Sequence, residues 1–195
     1  MNLYREAIGR FQELLGLACS TDLNEPTAFT LATSGDNGQP AARTLLLKGV
    51  GEEGFVFYTN LRSRKGLQLE QNQRAAMCFF WQPLWEQVLV EGRVEPVSAR
   101  EADAYWETRP RLSQLGAWAS LQSQPLSSRE ELEARLAEYE ARYVDAPVPR
   151  PPHWSGYRLV PTMLEFWSSR PGRLHDRVRY DQADAATWRK SLINP

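Results

Sequence analysis

AFTLATSGDNGQPAARTLLLKGV, residues 28–50, is the stretch that decides the fold class. Two runs rich in threonine and large apolar residues, 28–33 and 41–50, flank SGDNGQP. An Asp-Asn-Gly segment between such runs favours a tight reversal of the chain. The stretch therefore predicts a β-hairpin, which needs further strands or a helix beside it to be stable in water.

Further runs of the same character lie C-terminal to this hairpin. GFVFYTN (54–60), AAMCFFW (75–81) and EQVLVEGRVEPV (86–97) follow with frequent turns, a pattern typical of an antiparallel barrel or sandwich. The β pattern returns after residue 154 in GYRLVP, MLEFW, RLHDRVRY and TWRKSL. Because helices interrupt the strand set, the sequence predicts an α+β, mainly β, fold in a single domain over 1–195 with one barrel-like core.

Three segments predict helices around this core. Residues 1–20 place apolar side chains at helical spacing, with charged residues elsewhere. SAREADAYWETRP (98–110) opens with a capping-box pattern and stops at a proline, and SSREELEARLAEYEARY (127–143) begins after one of two serine caps. DAPVPRPPHW (145–154) holds four prolines and predicts a stiff, extended connector within the domain.

Composition excludes several classes of function. The chain carries 23 Lys and Arg against 24 Asp and Glu, a net charge of −1, which argues against nucleic acid or a membrane surface as a partner. No apolar run approaches the roughly 18 residues of a membrane span, and the N-terminus lacks a signal-peptide pattern. Cys19 and Cys78 stand alone, without a metal-binding cluster, so we expect a cytoplasmic protein with no metal site.

Two neighbouring cations oppose the dipole of a predicted helix. FVFYTNLRSRKGLQLEQN (55–72) has the pattern strand, turn, helix, with Asn60 or Ser63 as the cap and with Arg64 and Lys65 in the first helical turn. Cations there destabilise a helix by roughly 0.3–1 kcal/mol each. A bound anion would reverse that sign. The alternative is that both side chains simply reach solvent.

Two further groups of basic residues could bind a ligand, one at the ends of a strand and one beside hydroxyl groups on a helix. Arg43 and Lys48 bracket a leucine-rich strand but differ in parity, so either a bulge intervenes or they contact different parts of a ligand. Tyr105 and Arg109 are four residues apart on a helix, with Ser113 just beyond, a plausible pocket for a flat phosphorylated molecule. The alternatives are that Arg43 and Lys48 are charges at the solvent-exposed ends of a buried strand, and that Tyr105 and Arg109 belong to an ordinary amphipathic helix end.

RLHDR, residues 173–177, concentrates charge near the C-terminus. If this segment is extended, Arg173, His175 and Arg177 share one face and repel one another unless an anion or solvent lies in front of them. The alternative is a charged edge strand that prevents self-association. GxGxxG, GxxxxGK[ST], GxSxG and HExxH are absent from the sequence, so side chains and a helix N-terminus would have to hold any anion.

The order of these motifs resembles one family. RTLLLK, FYTNLRSRK, EQVLVEG, YWETRPRLSQLGAWAS followed by QS, EFW, and RLHDR occur in the order and spacing of the pyridoxamine 5′-phosphate oxidase family, from about residue 24 onward. The resemblance implies an FMN-binding split β-barrel with peripheral helices, forming a homodimer with FMN at the interface. It also implies that O₂ oxidises pyridoxamine or pyridoxine 5′-phosphate to pyridoxal 5′-phosphate, with H₂O₂ as the second product.

The resemblance assigns expected roles to particular positions. The implied FMN contacts are Arg43, Thr44, Leu45, Leu46, Leu47, Lys48, Tyr58, Thr59, Arg64, Lys65, Gln87, Gln122, Ser123, Trp167 and Arg177. The implied substrate contacts are Lys48, Tyr105, Arg109, Ser113, Arg173 and His175. Among these, Arg173 and His175 are expected to orient the C4′ group of the substrate and to ease its loss of a proton.

The sequence also departs from the family pattern. We expect the basic, aromatic N-terminal arm of many members to be missing or replaced, and Leu192 stands where an arginine is usual. Two other functions therefore stay open: a split-barrel flavin oxidase acting on another aromatic molecule, such as a phenazine precursor, and a non-catalytic carrier of FMN or pyridoxal phosphate. Turnover separates the carrier from the enzymes, and the choice of substrate separates the two enzymes.

Overall fold

The protein, seen in a computed structural model that describes residues 2–184 and 187–195, has an antiparallel sheet surrounded by helices. The described strands are β1 (Ala28–Ser34), β2 (Pro40–Leu46), β3 (Gly49–Gly51), β4 (Gly54–Asn60), β5 (Arg74–Trp81), β6 (Glu86–Pro96), β7 (Trp154–Ser168), β8 (Asp176–Gln182) and β9 (Trp188–Leu192). The described helices are α1 (Leu3–Cys19), α2 (Arg64–Gln71), α3 (Ala99–Glu107), α4 (Arg111–Ala119) and α5 (Arg129–Arg142). None of the described helices is long and apolar enough to cross a membrane.

The order of the strands curls the sheet into a barrel. Its path is β2-β1-β5-β6-β7-β4-β3, with β8 on β7 and β9 on β8. Although β2 and β3 lie at opposite ends of this path, only Leu47 and Lys48 separate them in the chain. The Leu47 amide donates to Thr27, beside β1, whereas the Lys48 amide donates to Val56 in β4. The two ends of the sheet therefore meet at this bend, which confirms the predicted mainly β, barrel-like core.

Strand β7 joins the barrel to the C-terminal hairpin. Its first half pairs with β4, up to Phe55 opposite Leu159, and its second half pairs with β8 from Met163 onward. The runs GYRLVP and MLEFW were predicted separately but belong to this one strand. Pro161 does not end it, because it lies opposite Gly92 at a β-bulge, where the register of the ladder shifts.

Helix α1 packs its apolar face onto the aromatic core of the barrel. The Phe11 ring lies 4.8 Å from that of Phe55 and 4.9 Å from that of Phe79, both with edge-to-face geometry. All three side chains are fully buried. Such pairs add about 0.5–1.5 kcal/mol each beyond the burial of their area, so α1 is part of the core, as its amphipathic pattern predicts.

A second apolar cluster supports the helices that follow the barrel strands. Trp106 in α3, Leu115 in α4 and Trp154 at the start of β7 pack together with Val148 of the proline-rich segment. The indole N–H of Trp106 donates to the Val148 carbonyl at 2.8 Å. Residues 147–151 of the connector form neither helix nor strand, turns flank them on both sides, and the apolar contacts of Val148 hold α3 and α4 against the barrel.

Candidate active site

A buried lysine lies at the N-terminus of α2. Ser63 caps this helix by accepting from the amide of Gly66, so Lys65 falls in the first turn, as predicted. The Lys65 side chain is only 7% exposed, and its ammonium donates to the hydroxyls of Thr59 and Ser63 and to the Gln122 amide oxygen at 3.1–3.2 Å. All three acceptors are neutral, so the ammonium has hydrogen bonds but no counter-charge.

Two arginines increase the positive charge around Lys65. The Arg43 guanidinium donates to the Leu31 carbonyl, to the Thr33 hydroxyl and to the Gln68 amide oxygen, all neutral groups. No ion pair of the described residues involves Arg43, Arg64 or Lys65. Burial, and next the charge of Arg43, lower the pKa of Lys65 to about 8. Burial, and next the charge of Arg64, lower the pKa of Arg43.

These cations line a cavity of about 450 Å³. Its walls are Pro40, Ala41, Ala42, Arg43, Thr44, Leu45, Arg64, Lys65, Gln122 and Ser123. The segment after α4 reaches the cavity because the Ser123 hydroxyl accepts from the Arg64 amide at 3.1 Å. A cavity with amide N–H groups at a helix start and with uncompensated cations is chemically suited to a phosphate.

An aromatic and cationic cluster surrounds Tyr58 on β4. The rings of Tyr58 and Tyr105 stack with centroids 4.0 Å apart, and Trp154 lies 5.3 Å from Tyr58 on the same stack. The Arg109 guanidinium lies 4.7 Å from the centre of the Trp154 ring and donates to the Ser113 carbonyl at 3.0 Å. Its Nε is buried without a hydrogen-bond partner, and burial lowers the pKa of Arg109.

A third group of predicted residues lies in a row across the opposite part of the sheet. Trp167 in β7 is the Cα partner of both Gln87 in β6 and Arg177 in β8. The His175 ring packs on Trp167 with centroids 4.6 Å apart, and its Nδ1 accepts from the Arg170 amide at 3.2 Å. A neutral His175 would therefore carry its proton on Nε2, the nitrogen that this contact leaves available.

The chain matches the family described as pyridoxamine 5′-phosphate oxidase over residues 18–143 and the pyridoxine 5′-phosphate oxidase C-terminal dimerisation region over residues 154–195. The chain belongs to the pyridoxamine 5′-phosphate oxidase family. It is 56% identical over 197 residues to the pyridoxine/pyridoxamine 5′-phosphate oxidase of Alkalilimnicola ehrlichii, covering 100% of both chains. It is 55% identical over 190 residues to the enzyme of that name from Myxococcus xanthus strain DK1622, covering 97% and 92%.

Solved structures confirm the split β-barrel. PhzG from Burkholderia lata 383, in complex with tetrahydrophenazine-1-carboxylic acid, matches with a TM-score of 0.91 and 32% identity, over 96% of this chain and 92% of that one. A pyridoxamine 5′-phosphate oxidase-related, FMN-binding protein from Nostoc punctiforme matches with a TM-score of 0.78 over 96% of each chain. At 23% identity, the second likeness supports the fold alone.

The predicted conformation of the RLHDR motif is wrong. Pro171–Arg173 form a single helical turn and β8 begins only at Asp176, so Arg173, His175 and Arg177 do not share one face of a strand. Proline fixes its own backbone, and Gly172 adopts φ +70°, which turns the chain before the motif. Arg173 itself has φ +61°, an uncommon conformation for a residue with a side chain.

The segment expected to contact FMN along β2 is divided by the bend after that strand. Arg43, Thr44 and Leu45 line the cavity, whereas the Leu47 side chain is buried in the core and Lys48 is exposed. Leu46, the last residue of β2, is half-buried and does not line the cavity. Arg43 and Lys48 therefore point in different directions without a bulge, because β2 ends before Lys48.

The site of this oxidase-family chain also contains residues that sequence reasoning missed. Thr33 and Gln68 fix the Arg43 guanidinium, and Trp154 lies against Arg109. Glu165 forms an ion pair with Arg177, with 2.7 Å between Arg177 Nη2 and Glu165 Oε1. Of these residues, only Glu165 could have been identified from the sequence, because a carboxylate inside the apolar run MLEFW needs a buried partner.

The structure places the predicted residues in two separate regions of one chain. The cavity and the aromatic cluster lie on the two faces of β4, because Thr59, which accepts from Lys65, and Tyr58 are successive residues of that strand. The Gln87–Trp167–Arg177 row is joined to neither of them by a hydrogen bond, ion pair or ring contact in the part of the chain that the structure describes. One chain alone therefore does not gather the whole predicted set.

Proposed function

We propose that this protein is an FMN-dependent oxidase that converts pyridoxamine 5′-phosphate and pyridoxine 5′-phosphate to pyridoxal 5′-phosphate. The observation that carries the proposal is the buried Lys65, held by neutral oxygens beside Arg43 in a cavity at a helix start. A buried cation without a counter-charge is unfavourable unless an anion binds. The names of the relatives with 55–56% identity support the same reaction.

The cavity residues fit the phosphate of FMN. Arg43, Arg64 and Lys65 would neutralise it, and Gln122 and Ser123 would add polar contacts at the rim. Each charge-assisted hydrogen bond contributes roughly 1.5–3 kcal/mol. When bound, FMN would supply the two-electron acceptor and pass those electrons to O₂, which yields H₂O₂.

The aromatic cluster is suited to the phosphorylated pyridine of the substrate. Arg109 has a buried Nε without a partner and would contact the substrate phosphate, with Tyr105 and Ser113 beside it. The exposed Lys48 remains a proposed contact to both ligands. Tyr58 would link the two sites, since its ring stacks on Tyr105.

Arg173 and His175 would act at C4′ of the substrate. Since the Arg170 amide donates to Nδ1 of His175, Nε2 would carry the proton and donate a hydrogen bond to the polar C4′ group. Arg173 would orient the C4′ hydroxyl or amino group. Oxidation of the alcohol consumes one O₂, and oxidation of the amine consumes one O₂ and one water and releases ammonia, each with one H₂O₂.

A second copy of the chain would complete the site. We propose a homodimer with FMN at the interface, in which the Gln87–Trp167–Arg177 row of one subunit faces the Lys65 cavity of the other. Support comes from the separation of the two regions within one chain and from the description of the match over residues 154–195 as a dimerisation region. The free cysteines, Cys19 and Cys78, suit the cytoplasm as the location.

The first test is aerobic turnover of the FMN-supplemented protein with each of the two phosphorylated substrates. Pyridoxal 5′-phosphate and H₂O₂ should form in equal amounts. An FMN-loaded protein without turnover would overturn the proposal and favour a carrier.

The likeness to PhzG supports one competing substrate, a reduced phenazine carboxylate. Because such a molecule has no phosphate, an Arg109→Met variant should retain turnover of it. The same variant should lose affinity for the pyridoxine phosphate, so a comparison of the two KM values separates the two functions.

A further inference from the structure

A buried carboxylate lies behind the Gln87–Trp167–Arg177 row. Glu165 is only 4% exposed and, among residues 2–184 and 187–195, is the one buried acidic side chain. Its neighbours Leu164 and Phe166 point into the barrel core and are fully buried. Because strand side chains alternate, Glu165 and Trp167 lie on the opposite face of β7. A carboxylate in such a position needs a specific partner.

That partner is Arg177. Nε of its guanidinium donates to Glu165 Oε1 at 2.7 Å, and Nη2 lies 2.7 Å from the same oxygen in the ion pair. Nη1 donates to the Asn194 carbonyl at 3.0 Å. Hydrogen bonds therefore engage two of the five N–H groups of the guanidinium, and the ion pair holds a third nitrogen beside the carboxylate. The Arg177 side chain is still 30% exposed, so its remaining N–H groups are available to a ligand in a fixed orientation.

The neighbouring arginine does not compete for this carboxylate. Arg179 is the Cα partner of Glu165 across β7 and β8, but its Nε and Nη2 both donate to Asp181 Oδ1, at 2.9 and 2.7 Å. The hydrogen bond to Asp181 is the largest cause of the raised pKa of Arg179, and the charge of Glu165 contributes less than either interaction with Asp181. Glu165 and Arg177 therefore form one pair, and Arg179 and Asp181 form another.

We propose that Glu165 is a positioning residue that fixes the Arg177 guanidinium toward the flavin and offsets part of its positive charge. The inference rests on the proposed function, because Arg177 is a proposed FMN contact. Glu165 itself lies one row behind Trp167 and need not touch either ligand. Its effect is on the orientation and the net charge of the group in front of it.

The test uses two Glu165 variants and one matched control. Glu165→Gln keeps an acceptor of the same shape and removes the charge, whereas Glu165→Ala removes both. Asp181→Asn removes the carboxylate of the adjacent pair without touching Arg177. For each protein we would measure the FMN dissociation constant, the midpoint potential of the bound flavin, and the melting temperature of the FMN-free form.

The two variants should have different effects. Glu165→Ala should weaken FMN binding by about tenfold or more, the loss expected when a charge-assisted contact is no longer held in place. Glu165→Gln should bind FMN nearly as well as wild type but shift the midpoint potential in the positive direction. The positive shift follows because an uncompensated Arg177 stabilises the more negative, reduced flavin. Asp181→Asn should change neither quantity.

A double-mutant cycle separates positioning from general stability. If Glu165 acts through Arg177, the potential shift of Glu165→Gln should disappear in an Arg177→Met background. A shift that persists there, or Glu165 variants that lower only the melting temperature, would overturn the inference. If Glu165→Ala does not fold, the test rests on Glu165→Gln and its double-mutant cycle with Arg177→Met. Wild-type protein that binds no FMN would refute the proposed function as well, whereas FMN-binding variants indistinguishable from wild type would refute only this inference.

Discussion

Replacing Lys65 by methionine tests whether the cavity is built for an anion. The substitution keeps an unbranched side chain, shorter by the nitrogen atom, and removes the charge and the three donated hydrogen bonds. In the ligand-free protein, the decrease of the Lys65 pKa from 10.5 to about 8 corresponds to a penalty of about 3 kcal/mol for the charged ammonium. Because the pKa reflects the net balance for the ammonium, its hydrogen bonds included, we expect Lys65→Met not to destabilise the FMN-free protein near pH 7.

The lowered pKa of Lys65 fixes the direction in which the free energy of unfolding changes with pH. Between the folded pKa of about 8 and the ordinary value of 10.5, the unfolded chain holds the Lys65 proton and the folded chain does not. The free energy of unfolding therefore rises with pH in this window, by about 2 kcal/mol between roughly pH 7.5 and 9.5. Lys65→Met should lack this rise, which urea unfolding at the two pH values would measure.

FMN affinity, unlike the stability of the FMN-free protein, should decrease when the Lys65 charge is lost by mutation or at high pH. Loss of the Lys65 contact should weaken FMN binding by about 1.5–3 kcal/mol, or roughly 10- to 150-fold near pH 7.5. Wild-type affinity should fall as the pH passes about 8, because the lysine must then take up a proton to bind the phosphate. The affinity of Lys65→Met should lack this decrease. Flavin fluorescence quenching would measure each dissociation constant.

A second lysine is the matched control. Lys190 interacts with Glu6, and the hydrogen bond to that carboxylate is the largest cause of its raised pKa. Lys190→Met should therefore leave FMN affinity and its pH dependence unchanged. The reasoning is refuted if Lys65→Met binds FMN within about threefold of wild type and shows the same dependence on pH.

Three further predictions concern substrate binding, catalysis and backbone conformation. Arg109→Met should raise KM for pyridoxine 5′-phosphate by about 10-fold or more, with FMN affinity unchanged; an unchanged KM would contradict the phosphate contact. Arg173→Leu should lower kcat with little effect on FMN affinity in steady-state assays, and full turnover would remove the role given to that residue. In thermal denaturation, Gly172→Ala should destabilise by about 1 kcal/mol, since its φ of +70° is the main obstacle. Gly54→Ala should destabilise more, since its φ is +126° and its Cβ would lie 2.3 Å from the Leu159 carbonyl oxygen; equal losses would refute the steric argument.

Features that depend on neighbours in the sequence were predictable. Ser98 and Glu101 form the expected capping box, Ser63 caps α2, and Lys65 follows in the first turn of that helix. These features rest on interactions within a few residues, so a single sequence contains their causes. The order of the motifs also indicated the family correctly, and with it the split β-barrel.

The conformation of RLHDR and the C-terminal end of the chain illustrate what local patterns do not determine. Alternation predicts a strand through Arg173, but the turn at Gly172 prevents it. Leu192, where the resemblance leads us to expect arginine, lies at the end of β9 and is 81% exposed in the single chain.

The sequence by itself determined most of the strands, the starts of α2, α3 and α5, and the residue types available for two phosphorylated ligands. Only the tertiary structure decided that Gln122 reaches Lys65 across 57 residues of chain, and that Glu165 is buried behind Arg177. It also decided that β2 and β3, the two ends of the sheet path, meet at the bend between them and close the barrel. The physical reason is one of range. Hydrophobic periodicity and capping act over a few residues, whereas burial, ion pairing and pKa depend on which distant segments pack together.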